Sequence, residues 1–248
     1  FKGCLELAMN LLDTLGLKED CSFRFSQWDP NNREKYEGTP EQWDEAQRIM
    51  GELLDDLIGR ENYKIGIDEA AFYGPKLDIQ IKNVFGKEDT LVTIQIDMLL
   101  AEKFGMYYTD KDNTKKLPYI IHRTSIGCYE RTLALLIEKY AGAFPLWLAP
   151  TQVKVLPIGD AQHDYAVSVY EKLTAAGIRC ELDERNEKIG YKIREAQLQK
   201  VPYMLIIGDK EQSSDQVAVR SHKNGDEGVM NFDAFLKKAQ EEIASKAR

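Results

Sequence analysis

Hydrophobic positions keep a helical period at the start of the chain, switch to a strand period, and then return to a helical one. Leu5, Ala8, Leu11, Leu12 and Leu15 share one face of a helix predicted over residues 4–15, and Gly16 ends it. Residues 21–28 alternate apolar and polar side chains and predict a strand, followed by a polar loop over 29–38. Thr39-Pro40-Glu41-Gln42 then combines an N-cap, a proline at the first helical position and a capping-box glutamine. A helix is predicted from there to Ile58.

Between residues 63 and 97 the period falls to two. Residues 63–67 predict a strand. Leu77, Ile79 and Ile81 alternate with Asp78, Gln80 and Lys82, and Val92, Ile94 and Ile96 alternate with Thr93, Gln95 and Asp97. With Gly86-Lys87-Glu88-Asp89 as the turn, the two runs predict an antiparallel hairpin with one polar face. Residues 119–123 predict another strand, and the following helix carries Leu133, Leu136, Ile137 and Tyr140 before Gly142 stops it.

The stretch from Pro145 to Pro150 reads as a domain boundary. Beyond it strands (153–157, 178–182, 202–207) alternate with helices (163–176, 190–200), and a short strand (217–220) and a charged helix (232–246) close the chain. Such alternation predicts parallel crossovers. Two domains are expected. Residues 1–146 form an α+β body, an antiparallel sheet with flanking helices. Residues 147–248 form a small α/β domain with a mixed, mostly parallel sheet.

Composition narrows the classes. A chain of 248 residues, 43% hydrophobic and 30% charged, is long enough for two globular cores. No apolar run reaches the length of a bilayer, so no membrane partner is expected. Cys4, Cys21, Cys128 and Cys180 are scattered and form no CxxC. That suits a reducing compartment, the cytoplasm, and argues against a disulfide framework or an all-cysteine zinc site. The chain opens Phe1-Lys2-Gly3-Cys4, without initiator Met or signal-like stretch, which leads to the expectation of a piece of a longer protein. Net charge is −8, against indiscriminate nucleic-acid binding. The acid excess nevertheless lies upstream of Thr151 (18 basic against 25 acidic), and the remainder is nearly neutral (15 against 16). A local basic face in the second domain could meet phosphates.

No P-loop, GxGxxG, HExxH or GxSxG motif is present, which removes several enzyme classes. Three weaker features remain. Ala71-Phe72-Tyr73-Gly74-Pro75-Lys76 reads as a β-turn with an exposed lysine, or as a loop aiming a tyrosine hydroxyl and an ammonium at an anionic ligand. Gln95 and Asp97 would line the same surface. Glu130-Arg131 reads as a surface ion pair, or as an arginine that holds a triphosphate with its planar fork of donors. His122 reads as a structural imidazole, or as a metal ligand whose partners lie elsewhere.

In order along the chain, AFYGPKLDIQ, TIQID, IHRTSIGCYERTLALL, FPLWLAP and ERNEKIGYKIREAQLQKVPYMLIIGDKE resemble threonyl-tRNA synthetase, a class II aminoacyl-tRNA synthetase. The resemblance covers nearly the whole chain. It implies that residues 1–146 are the C-terminal part of a class II catalytic domain, with motif 3 present and motifs 1 and 2 absent, and that 147–248 are an anticodon-binding domain. It implies a threonine--tRNA ligase working through a threonyl-adenylate. Arg131 and Lys76 would serve catalysis with Gln95, and Tyr73, Lys76, Gln95 and Arg131 would bind threonine and ATP with Mg2+. His122 would be one of three protein ligands of a zinc ion. Zinc with open positions takes the amino group and β-hydroxyl of threonine together, a contact valine cannot make, whereas an apolar pocket separates the two amino acids only ~10²-fold. Asn186, Lys188, Glu211 and Arg220 would read the splayed anticodon bases of tRNA(Thr), with Lys192, Arg194 and Lys200 on its backbone. The resemblance further implies a homodimer in the intact protein.

Against the family pattern, Thr90 stands in place of a glutamine, Leu91-Val92 of a Cys-Gly pair, and Cys128 of a small serine-like residue. Residues 67–70 replace a glycine-bearing lead into AFYGPK. By itself the chain is expected neither to activate threonine nor to hold zinc tightly. Two alternatives stay open: a non-catalytic synthetase paralogue acting as an RNA-binding or regulatory module, and a prolyl- or histidyl-tRNA synthetase relative.

Overall fold

The computed structural model describes residues 1–248 as two compact units, Phe1–Leu135 and Leu136–Arg248. In the first unit, helix α1 (Lys2–Thr14) buries Leu5, Ala8 and Leu12. Strand β1 (Cys21–Gln27) leads through the polar loop to α2 (Pro40–Leu57), whose capping box forms as predicted: Gln42 N donates to the Thr39 hydroxyl, and the Gln42 side-chain oxygen accepts from Thr39 N. Its buried stripe is Trp43, Ala46, Met50 and Leu54. Then come β2 (Tyr63–Ile67), β3 (Lys76–Lys82), β4 (Glu88–Asp97), the short helix α3 (Leu100–Lys103), a two-residue hairpin β5 (Tyr108–Thr109) and β6 (Lys115–Lys116), β7 (Ile120–Arg123) and α4 (Tyr129–Tyr140). The division between the units falls within α4.

The first sheet has the order β2-β1-β3-β4-β7, antiparallel except for the β1–β2 pair that α2 connects. One face is apolar: Phe25, Leu77, Ile79, Ile81, Val92 and Ile94 are all buried. The opposite face carries Arg24, Ser26, Lys76, Asp78, Thr93, Gln95 and His122, as their register pairs require. Trp28, Tyr36, Trp43 and Ala70 form a separate aromatic cluster that anchors the polar loop, with Trp28 stacked on Trp43 at 5.5 Å.

The β3–β4 turn differs from expectation. The β3–β4 turn closes at Asn83, whose side-chain oxygen accepts from the backbone N–H groups of Phe85 and Lys87. Glu88 and Asp89 are therefore ladder residues and not turn residues. β4 also holds one extra residue, Leu91, because Ile79 faces Val92 while Gln80 faces Thr90.

The second unit has β8 (Val153–Pro157), α5 (His163–Ala175), β9 (Cys180–Leu182), α6 (Ile189–Leu198), β10 (Tyr203–Ile207), α7 (Asp209–Ser213), β11 (Gln216–Ser221), β12 (Gly225–Asn231) and α8 (Phe232–Ser245). Sheet order is β12-β11-β10-β8-β9, with two parallel and two antiparallel ladders. Helices α5 and α8 cover one face through Val169, Leu173, Phe232 and Phe235, and α6 covers the other through Ala196 over Leu156 and Met204. β12 and α7 carry no apolar period and were not predicted; β12 exists because it pairs with the edge of β11. No helix is long and apolar enough to cross a membrane.

Candidate functional site

The polar face of the first sheet gathers residues that lie far apart in the sequence. Gly74 lies so close to β4 that a Cβ would overlap the Ile96 carbonyl oxygen, and Met98 N donates to Tyr73 O at 3.1 Å. The Ala71–Lys76 turn is thereby pinned to the end of β4. Tyr73 Oη donates to Gln95 Oε1, and its ring meets that of His122 edge-on at 5.7 Å. Gln95 and His122 face each other directly across the β4–β7 ladder. His122 therefore shares one sheet face with Gln95 and Tyr73.

Asp97 completes this group. Its side chain is entirely buried, its Oδ2 lies 2.8 Å from His122 Nε2, and its Oδ1 accepts from Leu99 N and Leu100 N at 2.9 Å each. Burial works against the charged carboxylate, but the bonds from His122, Leu100 and Leu99 outweigh it and hold the group below the usual carboxylate range. Burial and the nearby Asp97 charge push the Tyr73 phenol up. The sequence placed Asp97 on the polar face through alternation, but its pairing with His122, 25 residues away, depends on the register of β4 with β7.

Lys76 does not project free. Its Nζ pairs with Asp78 Oδ2 at 2.7 Å, and the buried Asp78 also accepts from Thr93 Oγ1 (2.7 Å) and Ser26 Oγ (3.3 Å). Arg131 projects from the first turn of α4 to the extra-residue region of β4, where its Nη1 donates to the carbonyl of Thr90. It remains solvent-exposed. Gly127, at φ +76°, packs against the neighbouring Leu91 carbonyl. No cluster of three His, Cys, Asp or Glu in the chain could hold a metal ion. His122 nevertheless fits the part of one ligand, because Asp97 engages Nε2 and Nδ1 is the ring nitrogen that remains for a metal.

In the second unit, Asn186 and Lys188 lie in the loop after β9, and Glu211 in α7 after β10, all beyond the C-terminal ends of the parallel strands. A shallow cleft there is lined by Ile158, His163, Arg185 and Asn186. Glu211 Oε2 accepts from Gly208 N at 2.9 Å, closing the first turn of α7. Arg220 is not with them: it lies opposite Met204, near the start of β10, with its Nε buried and unpartnered.

Two expected backbone-contacting lysines are otherwise engaged. Lys192 is buried, and its Nζ donates to Pro157 O and Asp183 O at 3.1 Å each, so it ties β8 to β9 and does not face a ligand. Lys200 Nζ donates to the Ala141 carbonyl. Arg194 is exposed. Missed from sequence was Arg185, which pairs through Nε and Nη2 with the buried Asp183 and lies over the Tyr191 ring at 5.8 Å.

Residues 1–140 match the family described as tRNA synthetase class II core domain (G, H, P, S and T), and residues 152–242 match the anticodon binding domain. The chain belongs to the class II tRNA synthetase core family. Within it, the chain is 60% identical over all 248 residues to the threonine--tRNA ligase of Clostridium botulinum (strain Eklund 17B / Type B), and spans 38% of that protein's length. It is 58% identical over 246 residues to the threonine--tRNA ligase of Clostridium perfringens (strain SM101 / Type A), again spanning 38% of its length. Among solved structures, the RNA binding domain of threonyl-tRNA synthetase from Cryptosporidium parvum Iowa II superposes with a TM-score of 0.85 at 31% identity, over 97% of this chain and 58% of that one.

Proposed function

We propose that this chain is the portion of a cytoplasmic threonine--tRNA ligase that carries part of the catalytic face (residues 1–146) and the anticodon-binding domain (residues 147–248). The observation that carries the reading is the meeting of Tyr73, Gln95 and His122 on one sheet face, beside Lys76 and the helix bearing Arg131. In the reaction, the carboxylate of threonine attacks the α-phosphate of ATP, releasing pyrophosphate and forming threonyl-adenylate, and a 3′-terminal hydroxyl of tRNA(Thr) then takes the threonyl group with AMP as the leaving group. Arg131, exposed and always charged, holds the triphosphate, presented with Mg2+. Lys76, kept in place by Asp78, faces the anionic substrate from the neighbouring strand. Tyr73 and Gln95 orient threonine beside His122.

His122 would hold a zinc ion together with donors outside these 248 residues, and that ion would supply Lewis-acid positions that distinguish the threonine hydroxyl from the methyl of valine. Asn186, Lys188 and Glu211 address anticodon bases, and Arg220 addresses the RNA from the other end of the sheet. A homodimer of the longer protein follows from the same reading.

The test is a chimera in which this chain replaces the matching segment of the Clostridium botulinum enzyme. Threonine-dependent ATP–pyrophosphate exchange and bound zinc are expected, with exchange lost in Arg131→Ala and zinc lost in His122→Ala. A folded chimera with neither property overturns the assignment. Separately, the 248-residue chain should bind the tRNA(Thr) anticodon stem–loop in preference to one with a scrambled anticodon.

A further inference from the structure

We infer that Asp97 is a positioning residue that sets the tautomer of His122, placing the proton on Nε2 and leaving Nδ1 as the lone-pair donor. The inference about the tautomer stands on geometry alone, and its consequence for a metal rests on the proposed role of His122.

The Asp97 carboxylate has two separate tasks. Oδ1 receives the backbone N–H groups of Leu99 and Leu100, both at 2.9 Å, which fixes that oxygen as an acceptor at the start of α3. Oδ2 lies 2.8 Å from His122 Nε2. An ionised carboxylate only accepts, so the nitrogen facing it carries the hydrogen. Nδ1 of the neutral ring then has no hydrogen to donate and presents a lone pair. The ring cannot readily turn to exchange the two nitrogens. The Tyr73 ring stands edge-on against it at 5.7 Å, and Tyr73 is itself anchored through its hydroxyl to Gln95 and through its carbonyl to Met98 N. The β4–β7 ladder holds the two backbones in register on both sides, Gln95 opposite His122 and Asp97 opposite Ile120.

A capping role alone would not require a carboxylate. An asparagine caps a helix as well as an aspartate. What only the acid supplies is a second acceptor, and it is aimed at the imidazole. Outer carboxylates of this kind orient metal-binding histidines and fix which nitrogen is available.

Asp97→Asn separates the two tasks. Leu99 N–H and Leu100 N–H demand an oxygen, so the amide oxygen must keep the Oδ1 place and the NH2 group must face His122. Nε2 is then forced to accept, and the proton moves to Nδ1. The chain contains only three histidines, His122, His163 and His222, so 15N-histidine labelling resolves each ring. The His122 signals are assigned by their loss in His122→Gln.

In the native chain without metal, the neutral His122 ring is expected as the Nε2–H tautomer. Asp97→Asn should invert it to Nδ1–H while the His163 and His222 signals stay in place. A native Nδ1–H tautomer, an even mixture, or a folded Asp97→Asn with the tautomer unchanged overturns the inference. The native spectrum needs no variant, so a poorly folded Asp97→Asn leaves the first criterion intact.

In the chimera described above, Asp97→Asn should weaken zinc roughly 10- to 100-fold in chelator competition. An unmoved zinc affinity counts against the inference. A chimera with Asp97 intact that holds no zinc overturns instead the reading of His122 as a ligand, while the tautomer result stands by itself.

Discussion

Gly127 packs so tightly on Leu91 that a side-chain carbon at Gly127 would overlap the Leu91 carbonyl oxygen. The two are neighbours because β4 carries an extra residue at Leu91, and the adjacent Thr90 carbonyl receives Arg131. Gly127→Ala should combine a strained left-handed backbone, about 1–2 kcal/mol, with displacement of this loop. Gly86 has the same φ of +76° with open space around it, so Gly86→Ala should show the backbone cost alone. Urea unfolding of the two variants should therefore differ, with Gly127→Ala the less stable.

Asp78 accepts from Lys76, Thr93 and Ser26 while buried on the polar face. Asp78→Ala leaves two hydroxyls and an ammonium without their acceptor, and a loss of roughly 3–5 kcal/mol is expected for breaking a buried pair. Lys76 is partly exposed, which favours the lower end. Thermal unfolding checks the loss. Faster acetylation of Lys76 in the variant, followed by peptide mass spectrometry, checks that its ammonium has been released.

Arg185 binds the nearly inaccessible Asp183 through two nitrogens and holds its carboxyl below the usual range, with burial opposing. A folded-state pKa lowered below the unfolded value near 3.9 means stabilisation that is present above that value. It disappears as pH falls through the folded pKa. Asp183→Asn should lower stability at neutral pH and flatten its dependence on pH below about 4. A variant with the native acid profile would contradict this.

Lys192 and Lys188 should behave oppositely although they are four residues apart. Lys192→Met retains the aliphatic stem but removes the donor to Pro157 O and Asp183 O, so a destabilisation of about 1–3 kcal/mol is expected. Lys188→Ala should leave stability within about 0.5 kcal/mol. Because Lys188 is proposed to address an anticodon base, its removal should weaken binding of the tRNA(Thr) anticodon stem–loop. Filter binding separates the two.

Most elements were legible because each had a strong local signature. The stripe of α1, the capping box of α2 and the alternation of β3 and β4 all appear in the structure near their expected positions. Signals failed where partners, not propensity, create the element. Residues 225–231 read GDEGVMN, and they form β12 only because the edge of β11 offers unpaired backbone groups. Lys192 is expected on the RNA backbone because its helix position alone cannot reveal the two carbonyls converging on it.

By itself the sequence determined the helices, the alternating strands and the two-part organisation, and it nominated Tyr73, Lys76, Gln95, His122 and Arg131 as candidates through a family resemblance. These depend on period, capping and motif, all local properties. Tertiary structure alone decided that Asp97 faces His122 and that Asp78 holds Lys76. It also decided that Arg220 lies away from Glu211. Such relationships arise from strand register and from the three-dimensional meeting of donors with acceptors, which spacing along a chain does not specify.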